Sequence, residues 1–554
     1  MFVAKELIIT YGIYPFDICQ NERLWFFLKI LYICTFIYSN LFIAYIIYKF
    51  HIRKRYKNNK LLVFNKFVEN KFIKKSNTAY LSNEMCENNK LNLLIGYAKD
   101  KKEDVYIPEN GLYQNFLITG TIGSGKTSSA MYPFTEQLIK YNSENLENKI
   151  GMLILDVKGN YYSQVKKIVS KYRLDDDLYV IGLQSNITYN PLHKPNLKPA
   201  VLANRLKTIL ELFSENNSES YWLDKVEQIL AEAIKLCRIY NDGYVTFKEI
   251  HKIVTINGYY KEKIEILKNK FFSNCLNLEQ VYELNTALDF FQREFEVLDD
   301  RTLSILKSEI TRITNLFISD YSVLKTFSPE KEEMTFSGFA DVIKKGQIVV
   351  LDMNIAEYKN LSKIIAAYLK LDFQCEVMMN LSNGNIKRTA FICDEYSEYV
   401  TKTDSEFFSL SREAKCINIV STQSYSSLKN TLKDDTSVKV ICQNLINKIW
   451  YRTDDLNTIE DVQKQIGREE KEKISRNISE NAKETGYNYI KKVFANKDSS
   501  ISESVNLYTQ SDYIFDSNYF TQKLETFKAV CFLSNGNKIL KPAELEMYPY
   551  FLKK

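Results

Sequence analysis

The chain has 554 residues, a formal net charge of +6, ten cysteines and only three histidines. That length exceeds one compact core and points to about three domains, while the small charge does not by itself announce nucleic-acid binding. With no C-x-x-C pair and only His51, His193 and His251, a disulfide framework, a zinc ribbon and Ser-His-Asp chemistry are all disfavoured, and most of the chain fits a reducing compartment.

The first expected element is a membrane span. Ile30 to Tyr48 carries no charged residue, and nineteen helical residues cover about 28 Å, close to the hydrocarbon thickness of a bilayer. Trp25 and Tyr48 stand near its ends, where interfacial aromatics belong. Lys49, Arg53, Lys54, Arg55, Lys57 and Lys60 follow at once. The positive-inside rule therefore expects a single-pass protein of the cell membrane, its short N-terminus outside and its bulk cytoplasmic. The basic run also suits contact with lipid headgroups. A signal peptide would carry its positive charge before the apolar stretch, and here the order is reversed.

Next comes the strand-like run Asn115–Thr119, followed by Gly120-Thr-Ile-Gly-Ser-Gly-Lys-Thr127. This is a complete G-x-x-x-x-G-K-[ST] phosphate loop in the strand–loop–helix setting that the motif requires. Gly120, Thr121, Ile122, Gly123, Ser124, Gly125 and Ser128 bring backbone amides to a triphosphate. Lys126 reaches the β- and γ-phosphates, and Thr127 offers a hydroxyl to Mg²⁺. ATP and Mg²⁺ are the expected ligands.

Apolar runs at Met152–Leu155, Leu178–Leu183, Ile348–Leu351, Ala390–Cys393 and Ile417–Val420 read as strands buried on both faces of a parallel sheet. Helical stretches lie between them, so the expected class is α/β. The first run ends in Asp156-Val-Lys158-Gly159, where Asp156 and Lys158 either approach the nucleotide or form a plain turn. The fourth ends in Asp394-Glu395, expected to serve the metal and the attacking water respectively. The fifth leads into Gln423, a γ-phosphate sensor by position. Arg412 stands just before that run, suited to stabilising a transition state in cis or from a neighbouring subunit.

Between Ala200 and Val342 the period changes. Leu202, Leu206, Ile209, Leu210 and Phe213 recur at helical spacing, as do Leu303, Leu306, Ile310, Ile313 and Phe317. This predicts an all-helical insert. Arg468 to about Asn506 is polar and reads as a solvated helix followed by a mobile segment. Lys528–Leu533, Asn535-Gly536 and Lys538–Leu540 read as a hairpin.

The motifs in order resemble the type IV secretion coupling proteins of the TraG/TraD group. The matching positions are GTIGSGKT, Asp156-Val-Lys-Gly159, Asn190-Pro-Leu192, Ser220-Tyr-Trp222, Cys393-Asp-Glu395, Arg412, Ser421-Thr-Gln423 and the block Asn444 to Gly467. The resemblance implies a RecA-like P-loop ATPase core with an inserted all-α domain and an N-terminal transmembrane helix. It further implies a ring, expected to be hexameric, that hydrolyses ATP and brings DNA or a relaxase–DNA complex to the channel of a type IV secretion system. Many such proteins have two N-terminal spans; here Phe2–Ile18 is interrupted by Lys5, Glu6 and Asp17, so one is expected. Two other readings stay open at this stage: an FtsK-type DNA translocase, and a membrane docking protein whose nucleotide site controls assembly only.

The expected boundaries follow: an extracytoplasmic segment 1–23, the transmembrane helix 24–50 and a basic membrane-proximal segment 51–90. The nucleotide-binding domain occupies 91–199 and 343–470, around the insert 200–342. The polar segment is 471–506, and strands in 507–554 complete the core.

Overall fold

The computed structural model describes residues 22–47, 91–156, 158–212, 220–272, 276–384, 386–481, 487–488, 493–494 and 500–552. The chain divides into two compact units, Met1–Ala79 and Tyr80–Lys554. The N-terminal segment expected outside the cell membrane and the basic run after Tyr48 lie outside the described residues.

In the first unit, Glu22–Ile47 is one helix of 26 residues. Within it Lys29–Ile46 is long and apolar enough to cross a membrane, with mean hydropathy 1.5. Its few polar side chains bond back to their own helix: Thr35 Oγ1 to the Tyr32 carbonyl, Ser39 Oγ to Thr35, and Asn40 Nδ2 to Phe36. Such local pairing satisfies polar groups that an apolar solvent cannot.

The second unit is built on an eleven-stranded sheet. In chain order the strands are β1 (Asn92–Ala98), β2 (Glu103–Pro108), β3 (Phe116–Thr119), β4 (Gly151–Leu155), β5 (Leu178–Ile181), β6 (Ile348–Leu351), β7 (Thr389–Cys393), β8 (Cys416–Thr422) and β9 (Asn447–Trp450). After these come β10 (Arg468–Asn481), β11 (Tyr487–Asn488), β12 (Val493–Phe494), β13 (Ser500–Tyr513), β14 (Lys528–Phe532) and β15 (Ala543–Glu546). The sheet order is β2-β1-β15-β14-β9-β3-β8-β7-β4-β6-β5. From β9 to β5 every neighbouring pair is parallel, and from β9 to β2 every pair is antiparallel.

The central strands are buried along their whole length. Alternation sorts their side chains into two cores. Leu117, Leu153, Leu155, Phe391 and Val420 face one core, which runs on into the helical insert. Phe116, Ile118, Met152, Ile154, Ile392 and Ile419 face the other, under the helices Tyr132–Glu144 and Asn160–Lys171. The strands expected of the parallel sheet are all present, and the class is α/β as expected.

From Pro199 to Phe327 the regular elements among the described residues are helical, as the period change predicts. Short polar residues set their starts: Thr246, Asn277, Asp299 and Asp320 each accept a backbone amide of the following first turn. The helix Ser220–Tyr240 opens at the Ser-Tyr-Trp motif.

Two expectations need correction. The polar stretch after Gly467 is not a solvated helix: β10 pairs antiparallel with β13 from Arg468↔Tyr513 to Asn481↔Ser500. The signal overlooked is the period-two alternation Ile501, Val505, Leu507, which belongs to a strand. The partner of β14 is β15, whereas the Asn535-Gly536 turn closes only on a bridge between Ser534 and Ile539. β15 lies between β14 and β1, so its pairing is decided by a strand more than four hundred residues earlier.

Candidate nucleotide site

The site lies at the carboxyl ends of β3, β7, β8 and β9, the edge where sheets of this kind hold ligands. The phosphate loop leaves β3 tethered to its neighbours: the Gly120 amide donates to the Gln423 carbonyl at 3.2 Å, and the Thr121 amide to the Arg452 carbonyl at 2.8 Å. Gly125 has φ +101°, and a Cβ there would stand 2.6 Å from the Phe527 ring. Both facts demand glycine. The Ile122 side chain is exposed at the loop tip. A wide π-type turn, Thr127–Met131, then leads into the helix Tyr132–Glu144.

Lys126 is buried, and its ammonium donates to the Gly120 carbonyl and, at 3.2 Å, to that of Thr121. Burial pushes its pKa down, against the pull of Glu395 and Asp394. Thr127 Oγ1 donates to Asp394 Oδ2 at 2.8 Å. Asp394 Oδ1 accepts from the Ser421 hydroxyl and from the Glu395 amide at 3.1 Å. Glu395 follows in a left-handed conformation with φ +50°. Its Oε1 accepts from Lys158 Nζ at 2.9 Å and its Oε2 from Gln423 Nε2 at 3.3 Å. Lys126, Thr127, Lys158, Asp394, Glu395 and Gln423, read from four separate stretches of sequence, are thus brought together.

Two expected residues stand apart. Asp156 uses both oxygens on backbone amides, those of Lys158 at 3.0 Å and Tyr161 at 3.1 Å. It fixes the turn into the helix Asn160–Lys171, so the turn reading prevails over a nucleotide contact. Arg412 lies at the amino end of β8, where its Nη2 donates to the Gly536 carbonyl at 3.4 Å. Seven residues of β8 separate it from Gln423, about 20 Å of extended chain. A role in cis is therefore excluded. The side chain is exposed, as a role toward a neighbouring subunit requires.

Sequence reasoning passed over Ser421, Arg452 and Phe527. Ser421 was legible as part of Ser421-Thr-Gln423 without a role; its hydroxyl orients the Asp394 carboxylate. Phe527 reaches the loop from the chain's far end, donating its amide to the Ser124 carbonyl at 3.3 Å. No local pattern announces that contact. A hydroxyl and a carboxylate 2.8 Å apart suit a hard cation sharing its remaining positions with phosphate and water. Among the described residues no group of three His, Cys, Asp or Glu side chains is arranged to hold a metal alone.

Solved structures that share this fold include several of the conjugative coupling protein TrwB. An unbound truncated form is 12% identical, covers 82% of this chain and 88% of its own, and has a TM-score of 0.54. TrwB with a non-hydrolysable ATP analogue is 11% identical, covering 85% and 93%, and TrwB with ADP and Mg²⁺ is 10% identical with the same coverage; both have TM-scores of 0.54. No curated protein matches the sequence. Fold and phosphate loop thus define a RecA-like P-loop protein. Residues 388–512, which contain Asp394, Glu395, Arg412 and Gln423, match the family model described as the TraM recognition site of TraD and TraG. The resemblance drawn from the motifs is supported twice over: residues 388–512 match that family model, and the chain shares the fold of TrwB.

Proposed function

We propose that this protein is a membrane-anchored ATPase that couples DNA, or a relaxase–DNA complex, to a type IV secretion or conjugation channel by ATP-driven recruitment and translocation. The observation that carries the reading is the Thr127–Asp394 contact with Glu395 and Gln423 beside it, a P-loop and a strand-end carboxylate pair in one site. Gly120 to Ser128 cradle the triphosphate, Lys126 neutralises its β- and γ-oxygens, and Thr127 with Asp394 holds the Mg²⁺ shell. Mg²⁺, when bound, screens the charge that develops on the phosphates. Glu395 orients the attacking water and Gln423 senses the γ-phosphate. Arg412 of one subunit enters the site of the next, in a ring taken to be a homo-hexamer.

The apolar helix ending at Ile47 and the basic run after it anchor the chain to lipid on the cytoplasmic side. The matched segment, named for TraM recognition, supports a docking role for the region 388–512 toward a partner protein. The test is ATP turnover by the full chain in lipid nanodiscs, with and without single- or double-stranded DNA. Hydrolysis stimulated by DNA and lost in Lys126→Ala is the expected result. Tight ATP binding without turnover in the presence of DNA would overturn it in favour of a docking protein.

A further inference from the structure

Glu395 is occupied in a way that hydrolysis does not require. Its side chain is only 9% exposed and stands on a left-handed backbone, a conformation that costs a non-glycine residue roughly 1 kcal/mol. Both carboxylate oxygens are taken, one by the Lys158 ammonium and the other by the Gln423 amide. Each oxygen thus already holds one donor, and the charge of the carboxylate is spent on an ammonium rather than on a water. The two partners of the ion pair differ in freedom: the Lys158 side chain is 53% exposed, so the lysine is the member able to leave. Lys158 also stands within electrostatic reach of Lys126, whose ammonium its charge helps to disfavour. Lys126 in turn is folded onto the carbonyls of its own loop. Both ammonium groups therefore rest on substitute acceptors around the place where a γ-phosphate belongs.

We propose that Lys158 is a positioning residue that holds Glu395 in a withdrawn setting until the γ-phosphate of ATP draws the ammonium away. ADP lacks that phosphate and leaves the Lys158–Glu395 pair closed. The pair thus makes the water-orienting carboxylate available only when a hydrolysable nucleotide is present. The inference rests on the ATPase reading above and specifies how its site is regulated.

A binding cycle tests it. Fluorescent ATP and ADP analogues are titrated into the full chain in nanodiscs, for wild type, E395Q, K158M and the double variant. Neutralising Glu395 frees Lys158 for the γ-phosphate. E395Q should therefore tighten ATP relative to ADP by about fivefold when Lys158 is present and by less than about twofold in K158M. K158R, which keeps the charge, should preserve the fivefold gain. An equal gain in both backgrounds would mean simple charge removal and overturns the latch, as does loss of ADP binding in K158M when K158R retains it. The ATPase reading fails separately, and by a different readout, if E395Q turns over ATP at the wild-type rate.

Discussion

Thr127 and Asp394, 267 residues apart in the chain, meet in a hydrogen bond of 2.8 Å from hydroxyl to carboxylate. The contact joins the end of the phosphate loop to the end of β7, and these two oxygens are the pair that a phosphate-bound Mg²⁺ would require. Asp394→Asn keeps the size of the side chain but removes its charge. It should lower kcat for ATP at least about a hundredfold while leaving the fold intact, and raise the Mg²⁺ concentration needed for half-maximal activity. Steady-state turnover across a Mg²⁺ series, with circular dichroism as the folding control, checks this.

Arg412 sits the length of β8 away from its own phosphate loop. If it serves a neighbour, Arg412→Ala and Lys126→Ala chains should each be nearly inactive alone. Random mixing in a ring with head-to-tail interfaces should then restore about a quarter of wild-type turnover. Mixed assemblies that stay inactive would remove Arg412 from the catalytic set.

Lys370 and Asp404 are fully buried and paired, and Tyr396, the residue after Glu395, donates its hydroxyl to the same carboxylate. Lys370 also donates to the Tyr399 carbonyl. Lys370→Met strands a buried carboxylate and should destabilise the protein by about 3–5 kcal/mol, most of which the further change Asp404→Leu should restore. Denaturant unfolding of the single and double variants measures both steps.

Lys448 on β9 is 4% exposed, and burial pushes its pKa down to about 8. The folded chain therefore releases this proton more readily than the unfolded chain, whose lysine keeps its ordinary value near 10.4. Stability from this group is complete above the unfolded value and is lost as pH falls through 8. The melting temperature should accordingly rise with pH from 7.5 toward 10 in wild type. Lys448→Met should lack that rise and melt higher than wild type at pH 7. Scanning fluorimetry across that range decides it.

The site was legible in sequence because its chemistry is written locally. Gly120–Thr127 is a contiguous loop, and Asp394-Glu395 and Gln423 each terminate an apolar run, so strand ends could be read before any sheet was drawn. What stayed hidden lies in pairings between distant segments. Asp156 looked like a ligand because it too ends a strand, and only the position of the Tyr161 amide assigns it to a turn. The ribbon of β10 and β13 was overlooked because polar composition masked a two-residue period.

Sequence alone determined the phosphate loop, the parallel strands, the helical insert and the apolar helix, since each rests on periodicity or on a short motif whose physics is local. Tertiary structure alone decided that Lys158 closes on Glu395, that Arg412 faces away from its own site, and that Phe527 backs the loop at Gly125. Those relations depend on sheet order and on contacts across hundreds of residues, which no local pattern of residues encodes.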